Sequence, residues 1–144
     1  MTIVYRVDGG SRGNPGPAGY GVAITTPEGD PLGSLYASVG IQTNNYAEYS
    51  GLIAALRDAL ERRAERVLVY ADSQLLVRQM QGRYAVKSAN LRPLYDEARR
   101  LAGSLASFTI EHVYREANRE ADRLANLAMD EARADSRYTS RRGR

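Results

Sequence analysis

A chain of 144 residues, 43% hydrophobic and 26% charged, has the size of one ordinary domain and enough apolar content to close a core, which excludes a mainly disordered protein. It has no cysteine, so disulfides, thiolate metal sites and cysteine nucleophiles are excluded together, and oxygen donors are the main metal ligands left to it. The net charge of +3 is mild, and part of it lies in Ser136–Arg144, where Arg137, Arg141, Arg142 and Arg144 form a solvated tail that can also attract phosphates loosely. The opening MTIVYRVDGG has neither a basic leader nor a long apolar stretch, and no apolar run approaches bilayer-spanning length. A cytoplasmic protein without a membrane partner is the expectation.

Ile3–Asp8 is rich in β-branched and aromatic residues and runs into Gly9-Gly10, which predicts a strand ending in a tight backbone passage. After SRGNPGPAG, the stretches Tyr20–Thr26 and Gly33–Val39 read as two further strands on either side of TPEGDP, giving an antiparallel meander. Thr43, Asn44 and Asn45 offer caps for a first helix, in which Tyr49, Leu52, Ile53, Leu56, Ala59 and Leu60 recur at helical spacing as far as ERRAER. Val67–Ala71 is short and continuously apolar, as in a strand buried on both faces, and Asp72 follows it directly. Ser73 caps a helix running through Leu75, Leu76, Gln79 and Met80 to Gly82. The connector GRYAVKSAN leads to a helix over Leu91–Leu101 that ends by Gly103, and the alternation in Phe108–Tyr114 predicts a last strand. Glu120–Ala134 closes the series as a helix with Leu124, Leu127, Ala128 and Met129 on its apolar side. The order predicts one α/β layered domain over residues 1–134, a mixed sheet flanked by helices, with residues 135–144 as a basic, disordered tail.

Most acidic residues sit on exposed helix faces, but four here do not. Asp8 ends the first strand and Asp72 ends the fourth, where open α/β sheets commonly place ligands. Glu48 leads Leu52, Ala55 and Ala59 at helical spacing, and Asp122 leads Ala125 and Met129 in the same way, so each heads a core-facing stripe. Clustered buried carboxylates force proton uptake or unfolding unless something compensates them. A divalent cation does so, and oxygen ligands without cysteine or clustered histidine favour Mg2+ or Mn2+ over zinc. Taken singly, each acid has an ordinary structural role, in a turn, at a helix N-terminus or as a cap; the joint arrangement carries the argument.

The blocks YRVDGGSRGNPGPAGYG, TNNYAEYSGLIAAL, VYADSQLLV and HVYREANREADRLAN, in that order between Tyr5 and Met129, resemble type 1 ribonuclease H. The resemblance implies a ribonuclease H-like fold, a five-stranded mixed sheet in which three antiparallel strands are followed by two parallel ones. It implies that Asp8, Glu48, Asp72 and Asp122 converge on a pair of Mg2+ ions, with Mn2+ as a substitute, Asp8 bridging the pair and Asp122 the most replaceable. The implied reaction is endonucleolytic hydrolysis of the RNA strand of an RNA–DNA hybrid by a monomer, leaving 5′-phosphate and 3′-hydroxyl ends. Gly9, Gly10 and Ser11 are implied to bring backbone close to the RNA, with Asn14, Asn45 and Gln74 in the minor groove and Thr43 and Asn44 at a DNA phosphate. Without the resemblance, Asn14-Pro15-Gly16 is simply a turn and the asparagine pair a cap.

The sequence departs from the pattern in two places. Many members carry a mobile histidine before the last helix, whereas His112 here falls on a strand's alternation and reads as a packing or surface residue. In REANRE, Arg115 and Arg119 are the mobile polar groups, and Arg115 is favoured as a catalytic residue, with Glu116 and Asn118 forming the loop. A guanidinium stays protonated, so its role is electrostatic or in product release. The connector GRYAVKSAN is too short for a basic handle, and Arg83, Lys87 and the arginine tail are the candidates to compensate. Alternative readings are a nuclease of the same fold acting also on RNA duplexes or RNA–DNA junctions, a non-catalytic hybrid-binding module, which would not need all four acids, and a phosphatase built on Asp72, which leaves the glycine and asparagine blocks unexplained.

Overall fold

The computed structural model describes the backbone of residues 1–142 and the side chains of residues 1–134. Its sheet has five strands in the order β3-β2-β1-β4-β5: β1 is Thr2–Ser11, β2 Gly16–Thr25, β3 Pro31–Gln42, β4 Arg66–Ala71 and β5 Ser107–His112. The first three are antiparallel neighbours, β4 runs parallel to β1, and β5 runs parallel to β4. This is the mixed sheet expected from the sequence. The helices are α1 (Asn44–Glu61), α2 (Gln74–Met80), α3 (Arg92–Gly103) and α4 (Arg119–Arg142), with a short 3-10 turn at Arg115–Ala117 before α4. Helix α4 thus continues past Ala134, where the sequence reading begins its tail; the side chains of residues 135–144 lie outside the described residues. Among the described residues no helix is long and apolar enough to cross a membrane.

Alternation sends Ile3, Tyr5 and Val7 to one face of β1, where they join Tyr49, Leu52 and Leu56 of α1, Val69 of β4 and Ile110 of β5 in the main core. Helix α1 begins where Thr43 Oγ1 accepts the Tyr46 N–H at 3.2 Å. Across the core, the Tyr49 hydroxyl donates to Gln79 Oε1 at 2.7 Å, and Gln79 Nε2 donates to the Ala85 carbonyl at 3.4 Å, which ties the short connector to α2.

The other face of β1, β2 and β3 is covered by α4. Two glycines of β2 set how close that helix comes. A methyl group at Gly21 would stand 2.4 Å from the Ala121 carbonyl oxygen, and one at Gly19 would stand 2.5 Å from Ala128 Cβ. Because α4 lies over β1–β3, strand β4 buries only Val67, Val69 and Ala71 and leaves Leu68 and Tyr70 half-buried, so the expectation of a strand buried on both faces is corrected.

Strand β1 also runs further than expected, through Gly9 and Gly10 to Ser11, because pairing with β2 continues at Gly9–Tyr20, Gly10–Gly19 and Ser11–Ala18. At Gly9 the missing side chain matters in a second way. A methyl group there would lie 2.6 Å from both the Ala47 carbonyl carbon and the Glu48 nitrogen, so glycine is what lets the start of α1 rest on the end of β1.

Candidate active site

The parallel pairing of β1 with β4 sets Val7 beside Ala71, so Asp8, still within β1, and Asp72, the residue after β4, follow on neighbouring strands at the same level. Helix α1, resting on Gly9, brings Glu48 to the same place. Asp122 arrives on α4, whose start is fastened to β1 by the fully buried Asn118. Its Nδ2 donates to the Val7 carbonyl at 2.9 Å, and its own carbonyl accepts the Asp122 N–H at 3.0 Å. The four acids line one open cleft of about 520 Å³.

Their electrostatics are those of crowded anions. Burial, then the charge of Asp72 and a hydrogen bond with Asp122, push the Asp8 carboxyl up to about 8, against the pull of the Gly9 N–H that donates to Asp8 Oδ1 at 2.9 Å. Burial pushes Glu48 up to about 7; a hydrogen bond with Ser73 opposes this and the charge of Asp72 adds to it. Glu48 Oε2 is buried without a hydrogen-bond partner. Among the described residues no three acidic or histidine side chains are drawn in to metal-holding spacing. An orphaned, buried carboxylate oxygen in a cleft shared with Asp8, Asp72 and Asp122, with no soft donor nearby, nevertheless fits a hard divalent cation, which would offset the burial and the neighbouring charge that raise Asp8 and Glu48.

Both folded-state values lie above the ordinary carboxylate values of 3.8 and 4.5, so the stability these groups contribute is complete below about pH 4 and is lost as pH rises towards 7 and 8. Without metal, Asp8→Asn is therefore expected to melt above the wild type at pH 9 and close to it at pH 4. Melting curves in chelator across that range check this, and a difference independent of pH would contradict it.

Of the other residues singled out from sequence, Gly9, Gly10, Ser11, Asn44 and Arg115 line the cleft. Asn14 and Asn44 also act as fasteners: Asn14 Oδ1 accepts the Asn44 N–H at 3.0 Å, and Asn44 Oδ1 accepts the Ser11 N–H at 2.8 Å. Thr43 serves as the α1 cap, and Asn45 is half-buried outside the cleft lining. Gln74 lies in an adjoining groove of about 240 Å³ with Arg78, Gln81 and Arg83. Arg12, Tyr114 and Asn126, which the sequence did not mark, line the cleft, as do Ser73, read only as a helix cap, and His112, read as a packing or surface residue. Parallel pairing sets His112 beside Ala71, one residue from Asp72, and its ring meets Tyr114 edge-on at 5.3 Å. Its place follows from the register of β5 against β4, which the alternation of Phe108–Tyr114 does not carry.

The profile of the reverse transcriptase-like family matches residues 6–128. The chain is 48% identical over 133 residues to the bifunctional protein Rv2228c of Mycobacterium tuberculosis, covering 92% of this chain but 36% of that protein, so it spans about a third of the length of the first curated relatives it matches. The N-terminal RNase H domain of Rv2228c superimposes with a TM-score of 0.91 at 46% identity, over 94% of this chain and 99% of that one. RNase H1 of the archaeon Halobacterium salinarum gives 0.87 at 37% identity, over 91% and 99% of the two chains. LC11-RNase H1, isolated from compost and solved in complex with an RNA/DNA hybrid, gives 0.84 at 42% identity, over 90% and 98%.

Proposed function

The chain belongs to the type 1 ribonuclease H family, and from that membership we propose that it is a metal-dependent endoribonuclease that hydrolyses the RNA strand of RNA–DNA hybrids. The observation that carries this reading is the delivery of Asp8, Glu48, Asp72 and Asp122 from four separate elements into one cleft. Asp8, which interacts with both Asp72 and Asp122, would hold the metal together with Glu48, Asp72 and Asp122. Bound there, Mg2+ ions, or Mn2+ in their place, would supply activation of the attacking water and stabilisation of the departing 3′ oxygen. The products are then 5′-phosphate and 3′-hydroxyl ends.

The remaining residues of the cleft position the nucleic acid. Gly9, Gly10 and Ser11 line the cleft beside Asp8, and their backbone is the proposed surface against which the 2′-hydroxyl of a ribose is read. Asn14, Asn45 and Gln74 are the proposed minor-groove contacts, and Thr43 and Asn44 at the start of α1 the proposed seat of a DNA phosphate. Arg115 enters the cleft from the 3-10 turn as a permanent cation. Replacing it by Ala is expected to lower turnover at saturating metal roughly tenfold to a hundredfold, with a smaller change in KM, since its charge acts on the phosphate as charge develops. Equal turnover in Arg115→Ala would remove it from the mechanism.

The direct test of substrate class is an end-labelled RNA–DNA hybrid digested beside matched RNA and DNA duplexes, with product ends identified by their acceptance of ligase and kinase. Cutting confined to RNA in the hybrid, with ligatable 5′-phosphates, is the expected result. Equal cutting of the RNA duplex would widen the substrate class, and ends of the opposite polarity would overturn the mechanism.

A further inference from the structure

Helix α4 carries a polar stripe at a four-residue interval, Asp122, Asn126 and Asp130, and the residue that reaches it comes from the other end of the chain. Arg12, just beyond β1, places its Nη2 3.0 Å from Asn126 Oδ1 and 3.1 Å from Asp130 Oδ1. With its amide oxygen held by that guanidinium, Asn126 turns its Nδ2 the other way, where it donates to Asp122 Oδ2 at 3.3 Å and to the Asp122 carbonyl at 2.9 Å. Arg12, Asn126 and Asp122 all line the cleft. Arg12 has no part in the core, and its pair with Asp130 is solvated, with side chains 39% and 65% exposed, so as a stabilising ion pair it contributes little.

We propose that Arg12 and Asn126 form a relay that fixes the orientation of the Asp122 carboxylate for metal binding, making both positioning residues of the nuclease site. An asparagine amide has two orientations, and only one offers Asp122 a donor; the other turns an amide oxygen towards a carboxylate. The Arg12 guanidinium, which can only donate, selects the productive one. Asp122 depends on such help because the tie of α4 to β1, the Asn118 Nδ2 bond to the Val7 carbonyl, holds the helix backbone and not the Asp122 carboxylate. The relay also ties the backbone next to Gly9-Gly10-Ser11 to the helix bearing the fourth acid, so the metal-binding and strand-reading parts of the cleft move as one. Groups in this outer position commonly change metal affinity by about 10- to 100-fold.

The inference rests on the nuclease reading, and its test separates the two. Mn2+ binding to the substrate-free protein is measured by calorimetry for the wild type, Arg12→Ala, Asn126→Leu and the double variant, alongside melting curves and hybrid cleavage across a Mn2+ titration. Both single variants are expected to melt within a few degrees of the wild type, to bind Mn2+ about tenfold more weakly and to need correspondingly more Mn2+ for half-maximal cleavage. Because they interrupt one chain of contacts, the double variant is expected to lose little beyond either single variant. Unchanged Mn2+ affinity in Arg12→Ala, or losses that simply add, would overturn the relay. Should Asn126→Leu fail to fold, Arg12→Ala decides alone. A wild type that binds Mn2+ but leaves hybrid uncut would instead overturn the nuclease reading, while the binding comparison still judges the relay.

Discussion

Asp8→Asn is expected to lower hybrid cleavage at least about a thousandfold at saturating metal while leaving the protein folded. The side chain keeps its size, and its Oδ1 can still accept the Gly9 N–H, so the local backbone has no reason to move. What disappears is one negative charge at the centre of the cluster, where Asp72 and Asp122 both act on it. For folding this is a relief, since a buried carboxylate no longer has to be ionised against its neighbours. For catalysis it removes a charged oxygen donor from the centre of the set that would hold the metal, and an amide oxygen is a poor substitute. Opposite signs in activity and in metal-free stability are the signature of a group held in place for function. Loss of both together would mark Asp8 as structural.

The second large effect lies outside the cleft. Gly21→Ala is expected to destabilise the protein by about 3 kcal/mol, the upper part of the range for overpacking, and to reduce cleavage about a hundredfold well below its melting temperature. The added methyl would stand 2.4 Å from the Ala121 carbonyl oxygen, 2.5 Å from Leu124 Cβ and 2.6 Å from the Ala125 nitrogen. Two of these are backbone atoms of α4, so no rotamer change relieves the clash and the helix must lift. Asp122 lifts with it, and the Asn118 bond to Val7 that registers α4 against β1 is strained. Melting temperature and single-turnover cleavage together check this. Wild-type values for both would mean that α4 does not set the Asp122 position.

Much of this was legible in the sequence because the signals are local. Alternation and β-branched content marked the strands, and Thr43 and Ser73 do cap α1 and α2. An acid directly after an apolar run, as at Asp8 and Asp72, is visible in a window of a few residues, although β1 continues past Asp8 to Ser11. The parts that were not legible depend on contacts between distant segments. Arg12 and Asn126 are 114 positions apart, and neither carries a local mark of its role. His112 read as a packing or surface residue, which its edge-on contact with Tyr114 fits, but its place beside Asp72 depends on the register of β5 against β4, which alternation does not carry. Asn14 and Asn44 were read towards the substrate, while their side-chain oxygens hold loop and helix together, and backbone partners of that kind cannot be assigned from a pattern. The half-exposed face of β4 likewise follows from where α4 lies, which no window within Arg66–Ala71 contains.

Whether this chain is a metal-dependent nuclease is decided by cleavage of an end-labelled RNA–DNA hybrid by wild type and Asp8→Asn, in Mg2+, in Mn2+ and in chelator, with hybrid binding followed in the same samples. The wild type is expected to cut RNA only when metal is present, and Asp8→Asn to bind the hybrid without cutting it. Cutting that persists in chelator or in Asp8→Asn, or tight binding by a wild type that never cuts, would contradict that reading.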